Sequence, residues 1–247
     1  MYLHPLMAGL PPAERAALVQ RSRPRSYKRN EAVVTAGESI DQIVCVASGL
    51  LRVITPGHDD GADVTTEFIR RDDFFFDLSM RQDRYESRQT LVAALPSSVY
   101  LLPIATMRGL CTRYPEVALG LLSLAMKRMS MLRGQLRRIS ALPAEDLVRR
   151  VLHQLTYLAP AGTSGYDKRI TQAVIASYSG LSREVVNKTM RDFESRGLVR
   201  REEDGVHVTG DFAATDFGAP PREAETAAEA APAPLVEFAD GTVFGER

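Results

Sequence analysis

The rhythm of apolar and polar residues changes several times along the chain, and each change marks an element. "PPAERAALVQRS", residues 11–22, begins with two prolines and continues in helix formers, the pattern of a short helix with proline in its first turn. From residue 27 to about 103 the chain reads as strands. β-Branched residues and period-two alternation recur in "EAVVTAGESIDQIVCVASGLLRVI", "ADVTTEFI" and "RQTLVAALPSSVYLLP". Gly37, Gly49, Gly57 and Gly61 punctuate these runs, so many short strands joined by tight turns are expected, closing into a small β-barrel or jelly roll.

A longer period takes over in "PEVALGLLSLAMKRMSMLRGQLRRISAL". Leu122, Ala125, Met129, Leu132, Leu136 and Ile139 recur at alternating intervals of three and four, the a/d seam of a coiled coil, and Lys and Arg flank that seam. The spacing predicts a homodimer paired through residues 117–139. Pro143 breaks the run, and Asp146 falls in the first turn of the next amphipathic stretch, "AEDLVRRVLHQLTYLA", which makes residue 143 a candidate hinge.

Residues 169–209 read strand, helix, turn, helix, hairpin. "KRIT" is expected to supply the strand, and Thr171 to cap a short helix that buries Val174, Ile175 and Tyr178. Gly180-Leu181-Ser182 turns the chain into "SREVVNKTMRDFESRGLV", with Ser182 as N-cap and Gly197 at the C-terminal cap. Val186, Met190 and Phe193 share one face of this helix. Glu184, Asn187, Lys188 and Arg191 share the other, at the i, i+3, i+4, i+7 spacing. "LVRREEDGVHVT" folds back around Asp204-Gly205 as two short strands. Helix, short glycine turn, helix and wing together make a winged helix-turn-helix.

On an arbitrary helix such a polar face is simply solvated. In this motif the second helix enters the major groove of DNA, so the same face becomes a reading surface. Arg183 and Lys188 can donate to guanine O6 and N7, and Glu184 can accept from a cytosine amino group. Ser182, Asn187, Arg191, Thr171 and the wing's Arg200 and Arg201 suit phosphates, which add affinity without sequence information.

A net charge of zero over 247 residues argues against a nucleic-acid partner until the chain is divided. Residues 1–111 carry 13 basic and 13 acidic side chains, residues 112–212 carry 16 against 11, and residues 213–247 carry 2 against 7. The excess of positive charge thus coincides with the helix-turn-helix. The tail, "AATDFGAPPREAETAAEAAPAP", has the composition of a disordered segment, although "LVEFADGTVFGE" can turn at Asp240-Gly241. Two cysteines, Cys45 and Cys111, are too few for a thiolate cluster. His4, His58, His153 and His207 lie scattered, with no metal-ligand spacing, P-loop or nucleophile elbow, so neither a metal centre nor an enzyme is expected. No long apolar run or signal peptide occurs, which predicts a cytoplasmic protein without membrane contact.

"GLSREVVNKTMRDFESRGLV" and "TAGESIDQIVCVASGLLRV" resemble the Crp–Fnr transcription regulators, and the resemblance covers about residues 15–210. It implies an α+β chain in four parts. Residues 1–113 would form a jelly-roll-like, cyclic-nucleotide-binding-like β-roll sensor and 114–142 a dimerisation helix. Residues 143–212 would form the winged helix-turn-helix and 213–247 the tail. Arg183 and Glu184 match the family's base-reading Arg-Glu pair. Lys188 stands where well-known members carry a second arginine, which implies a half-site resembling TGTGA with relaxed preference there. Arg23 and Arg25 fall near the surface by which some relatives contact RNA polymerase.

In relatives that bind cyclic AMP, a cassette resembling G-D-x-F-G-E-L precedes R-[ST]-A. Here the segment is "RDDFFFDLSMRQDRYESRQTLVA". Asp72 and Phe76 replace glycines and Asp77 replaces the glutamate. Arg88 stays in register, and Gln89-Thr90 follow it. The candidate effector contacts carried over are Asp77, Arg88, Gln89 and Thr90, with Arg133 and Gln135 from the helix. A phenylalanine at a close-approach glycine obstructs the phosphate-binding amides, so activation by cAMP is not expected. The remaining choices are a cyclic dinucleotide such as c-di-GMP held by Arg88 with Arg133, Arg137 or Arg138, no effector at all, or the C-terminal hairpin packed on the sensor. A protein-interaction adaptor with vestigial DNA binding is the alternative of a different class.

Overall fold

The computed structural model describes residues 5–7, 9–55, 57, 63–76, 82–159 and 165–209. The expectations for His4, His58, Gly61, Asp77 and the tail with its Asp240-Gly241 turn lie outside these residues.

A 3-10 turn over Pro5–Met7 precedes α1 (Pro12–Arg21), whose Pro12 occupies the position where a missing N–H is harmless. The strands are β1 (Arg23–Tyr27), β2 (Ala32–Val34), β3 (Ser39–Ile40), β4 (Gln42–Ser48), β5 (Leu50–Thr55), β6 (Val64–Arg70), β7 (Phe74–Phe75), β8 (Tyr85–Glu86), β9 (Thr90–Ala93) and β10 (Ser97–Pro103). All pair antiparallel, in two four-stranded sheets of order β1-β10-β4-β7 and β2-β9-β5-β6 and one two-stranded ribbon, β3-β8. Val44, Val46 and Val99 of the first sheet meet Leu51, Val53, Ile69 and Leu91 of the second in one buried core. The β4–β5 corner depends on Gly49, which has φ +88°; a Cβ there would sit 2.4 Å from the Pro96 carbonyl oxygen. The first strand begins at Arg23, four residues earlier than the alternation suggests.

The sequence pattern leaves one helix out. α2 (Ile104–Arg113) follows β10 directly and buries Ile104, Met107 and Leu110 against Met7, Leu10 and Leu18. α3 (Pro115–Ala141) adds only Val117 and Leu121 to that cluster. At 27 residues it is about 40 Å long, and most of its remaining apolar side chains, among them Leu122, Met126, Leu132 and Leu136, stand in solvent.

After the break at Pro143 come α4 (Ala144–Leu158), β11 (Gly165–Tyr166), α5 (Gln172–Ser179), α6 (Arg183–Ser195), β12 (Val199–Arg201) and β13 (Val206–Val208), the strands forming a sheet of order β11-β13-β12. "KRIT" is not the strand. Lys168–Ile170 turn instead, because the Asp167 carboxylate accepts from the Arg169 backbone N–H (2.8 Å) and its guanidinium, and the Asp167 carbonyl accepts from the Ile170 N–H. Val148, Leu152, Ile175, Val186, Met190 and Phe193 form the core of this module. The second sheet of the β-roll packs directly on it: Leu50, Phe68 and Ala94 join the same cluster, and the Phe68 and Tyr178 rings lie 4.9 Å apart.

Candidate nucleic-acid interface

Two helices and a wing build the candidate surface. α5 ends in Gly180, whose φ of +73° lets the chain reverse and whose N–H donates to the Ala176 carbonyl (3.0 Å). Ser182 then caps α6: its Oγ accepts from the Val185 N–H at 3.2 Å, and Glu184 adds an acidic residue to the positive end of the helix. At the far end Gly197 (φ +71°) closes the helix, and the Leu198 N–H returns to the Phe193 carbonyl (2.9 Å). Thr171 stands at the N-cap position of α5, but its hydroxyl makes no capping bond and is exposed. The expected cap is therefore absent, although the position is right.

α6 divides as its sequence requires. Val186, Met190 and Phe193 are buried; Ser182, Arg183, Glu184, Lys188 and Arg191 are exposed, and Asn187 is half-buried. On β12 the side chains alternate, so the adjacent Arg200 and Arg201 point to opposite faces of the wing. Arg200 shares a face with its cross-strand partner His207, whose Nε2 lies 2.8 Å from Asp204. That contact holds the Asp204 carboxyl below its usual range. Arg201 donates from Nε to Glu194 (2.5 Å) and so ties the wing to the end of α6.

Between α6 and the wing runs a cleft lined by Lys168, Thr171, Gln172, Arg183 and Arg201 over the buried Tyr166. Lys168 and Gln172 are the members that the sequence pattern does not single out. No spacing pattern marks them; they join the site because the fold lays the wing beside α6. Lys168 donates to the Glu203 carbonyl and holds the wing turn, and Arg196 bridges Glu145 (2.9 Å) and Asp192 (2.8 Å), joining α4 to α6. The surface therefore combines exposed donors on a helix with cations on its flanks, a composition suited to a DNA duplex.

The candidate effector residues do not converge in the same way. Arg88 and Arg133 are exposed. The Gln89 carbonyl accepts from the Ser87 hydroxyl (2.8 Å), and Thr90 Oγ1 accepts from the Ala36 N–H (3.1 Å). Gln135 donates to the Tyr178 carbonyl (3.1 Å), which places it at the joint between α3 and α5. Another α3 residue reaches the cassette instead. Arg128 donates to Asp73 Oδ1 (2.7 Å) and to the Phe74 carbonyl, pairs with Glu67 (3.0 Å) and lies over the Phe76 ring at 5.3 Å. Its side chain is only 11 % exposed. Burial raises the Glu67 carboxyl, and the Arg128 charge opposes that rise.

Residues 149–209 match the Crp-like helix-turn-helix domain, and residues 24–114 match the cyclic nucleotide-binding domain. The chain is similar to the CRP-like cAMP-activated global transcriptional regulator of Mycobacterium tuberculosis, at 27 % identity over 83 % of this chain and 92 % of that one. It is also similar to the cAMP-activated global transcriptional regulator Vfr of Pseudomonas aeruginosa, at 25 % identity over 75 % and 86 %. Among solved structures, FixK2 from Bradyrhizobium japonicum superposes with a TM-score of 0.69 at 17 % identity, covering 81 % of this chain and 99 % of that one. CLP of Xanthomonas campestris, a c-di-GMP responsive global regulator, gives 0.66 at 18 % identity, covering 80 % and 99 %.

Proposed function

We propose that the chain is a transcription regulator of the Crp–Fnr type, and that it acts as a homodimer whose paired α6 helices read a two-fold symmetric operator without requiring cAMP. The observation that carries this reading is the division of α6, which packs Val186, Met190 and Phe193 and presents Arg183, Glu184 and Lys188 to solvent. In it Arg183, Glu184 and Lys188 contact base edges. Ser182, Asn187, Arg191, Thr171 and Arg200 contact phosphates, and Arg201 fixes the wing. Ser182 fits its role because its capping bond uses an oxygen lone pair and leaves the hydroxyl proton to donate.

Dimerisation is supported by the apolar stripe on α3. Leu122 is 58 % and Leu136 68 % exposed in the single chain, with Met129, Leu132 and Ile139 along the same seam. Independence from cAMP is supported by the Arg128–Phe76 contact, in which the chain's own guanidinium and ring fill the space beside the cassette. The relatives named as cAMP-activated make the opposite behaviour the contrary outcome to test. Arg23 and Arg25 lie exposed on the edge strand β1, where an RNA polymerase contact is sterically open.

The test is a mobility-shift titration of the full chain on a palindromic TGTGA-type duplex and a scrambled one, with and without cAMP. Arg183→Ala should lower the preference for the operator by about tenfold or more, since one bidentate base contact is worth roughly 1–3 kcal/mol. cAMP should leave the affinity within about threefold. Unchanged selectivity in the variant refutes the base-reading assignment, and strong enhancement by cAMP refutes the effector reading.

A further inference from the structure

Where α3, α4 and α5 meet, a cleft is lined by Gln135, Arg138, Arg150, Gln154, Tyr178 and Ser179 over an apolar floor. Its lining holds two guanidinium groups and no carboxylate. Arg138 is half-buried, and its Nε–H is enclosed with no acceptor among the described residues. Arg150 is held down to about 10, first by burial and then by the Arg138 charge. Two like charges withdrawn from water beside each other are unfavourable, and an anion between them removes the penalty. The neutral groups are already engaged with one another: Gln135 donates to the Tyr178 carbonyl (3.1 Å), and the Tyr178 hydroxyl donates to Gln154 (2.9 Å).

The backbone makes room for this arrangement. Gly134 lies inside α3, where glycine costs about 1 kcal/mol relative to alanine. A Cβ at that position would lie 2.9 Å from Arg138 Nη1. The glycine thus leaves the space into which the Arg138 side chain folds back along its own helix.

We propose that Arg138 and Arg150 form a binding site for a phosphoryl group, either free phosphate or the phosphate of a small ligand, at the joint between the long helix and the DNA-reading module. The enclosed part of the cleft is about 20 Å³, room for about one water-sized group. One phosphoryl oxygen can enter it beside the two guanidinium groups, and the rest of the ligand stays outside. Occupancy ties α3 to α4 through one anion. The site is separate from the DNA-contacting surface, so its test and the operator titration fail independently.

The test is thermal denaturation of the full-length protein at constant ionic strength, with chloride replaced by inorganic phosphate or by a nucleoside 5′-monophosphate. A ligand that binds the folded state raises the melting temperature, here by about 3 °C or more at saturation. The same rise is expected in Arg137→Gln, an exposed cation on the same helix. Arg138→Gln should abolish it. Gly134→Ala should weaken it, because the added Cβ pushes the end of the Arg138 side chain aside while keeping its charge and favouring the helix. A lower midpoint for the nucleotide marks a phosphorylated small molecule as the ligand, and a lower midpoint for inorganic phosphate marks the free ion. No rise with either anion, or equal rises in wild type and both cleft variants, overturns the proposal.

Discussion

Arg128 shows how much one side chain can organise. It leaves α3 beside the apolar, solvent-exposed seam, enters the β-roll, and pairs with Asp73, the Phe74 carbonyl and Glu67 together. Removing it would leave two largely buried carboxylates facing each other without a cation, the situation in which broken ion pairs are most destabilising. Arg128→Met is expected to cost about 2–3 kcal/mol in urea denaturation, and Arg128→Lys to recover only part, since an ammonium cannot reproduce the fork. Combining Arg128→Met with Glu67→Gln should cost less than the sum of the two. A loss below about 0.5 kcal/mol for the methionine variant would show the network to be idle. Resolution at this scale also separates neighbours that look alike in sequence. Arg200 and Arg201 are adjacent cations, yet strand alternation sends only the second toward Glu194.

At the scale of elements, α3 makes two kinds of contact. Its first turns belong to the sensor core through Val117 and Leu121, and its outer face carries the seam. A leucine buried on association contributes about 1.5–3 kcal/mol, so Leu122→Glu with Leu136→Glu should weaken the dimer by on the order of a hundredfold or more. Both residues are exposed in the single chain, so the fold itself should survive. Sedimentation velocity checks the first point and circular dichroism the second; a variant that stays dimeric contradicts the seam. The periodic elements were the legible ones: α3, α4 and α6 declare themselves by spacing, and the wing by its Asp204-Gly205 turn. α2 was not, because its three buried residues sit in a ten-residue helix that continues straight from an alternating strand. The "KRIT" strand failed for a related reason: Asp167, just outside the quartet, bends the chain through its carboxylate, so the strand ends at Tyr166. In the candidate site, the face of α6 was readable from spacing alone, whereas Lys168 and Gln172 enter only because the fold lays the wing beside α6. Gln135 likewise changes partner, since its hydrogen bond to Tyr178 depends on a packing that no local pattern encodes.

Over the whole molecule, the sensor and the DNA-reading module are in direct contact. Thr65 and Ser177 share hydrogen bonds (N–H to Oγ 2.8 Å, Oγ to Oγ 2.9 Å), and Phe68 packs on Tyr178, so β6 of the sensor sheet lies against α5. α3 links the same two parts from the other side, through Arg128 at the sensor and Gln135 at Tyr178. The position of α6 is therefore set by two connections to the β-roll, and in the proposed dimer the seam would set its pairing with a second α6. These relations make a geometric claim: two reading helices one helical turn apart on DNA. The measurement that tests it most directly is hydroxyl-radical footprinting of the purified chain on a palindromic operator, with stoichiometry from native mass spectrometry. Two protected patches centred about 34 Å apart, with two chains per duplex, are predicted. A single patch, or one chain per duplex at saturation, would contradict the account.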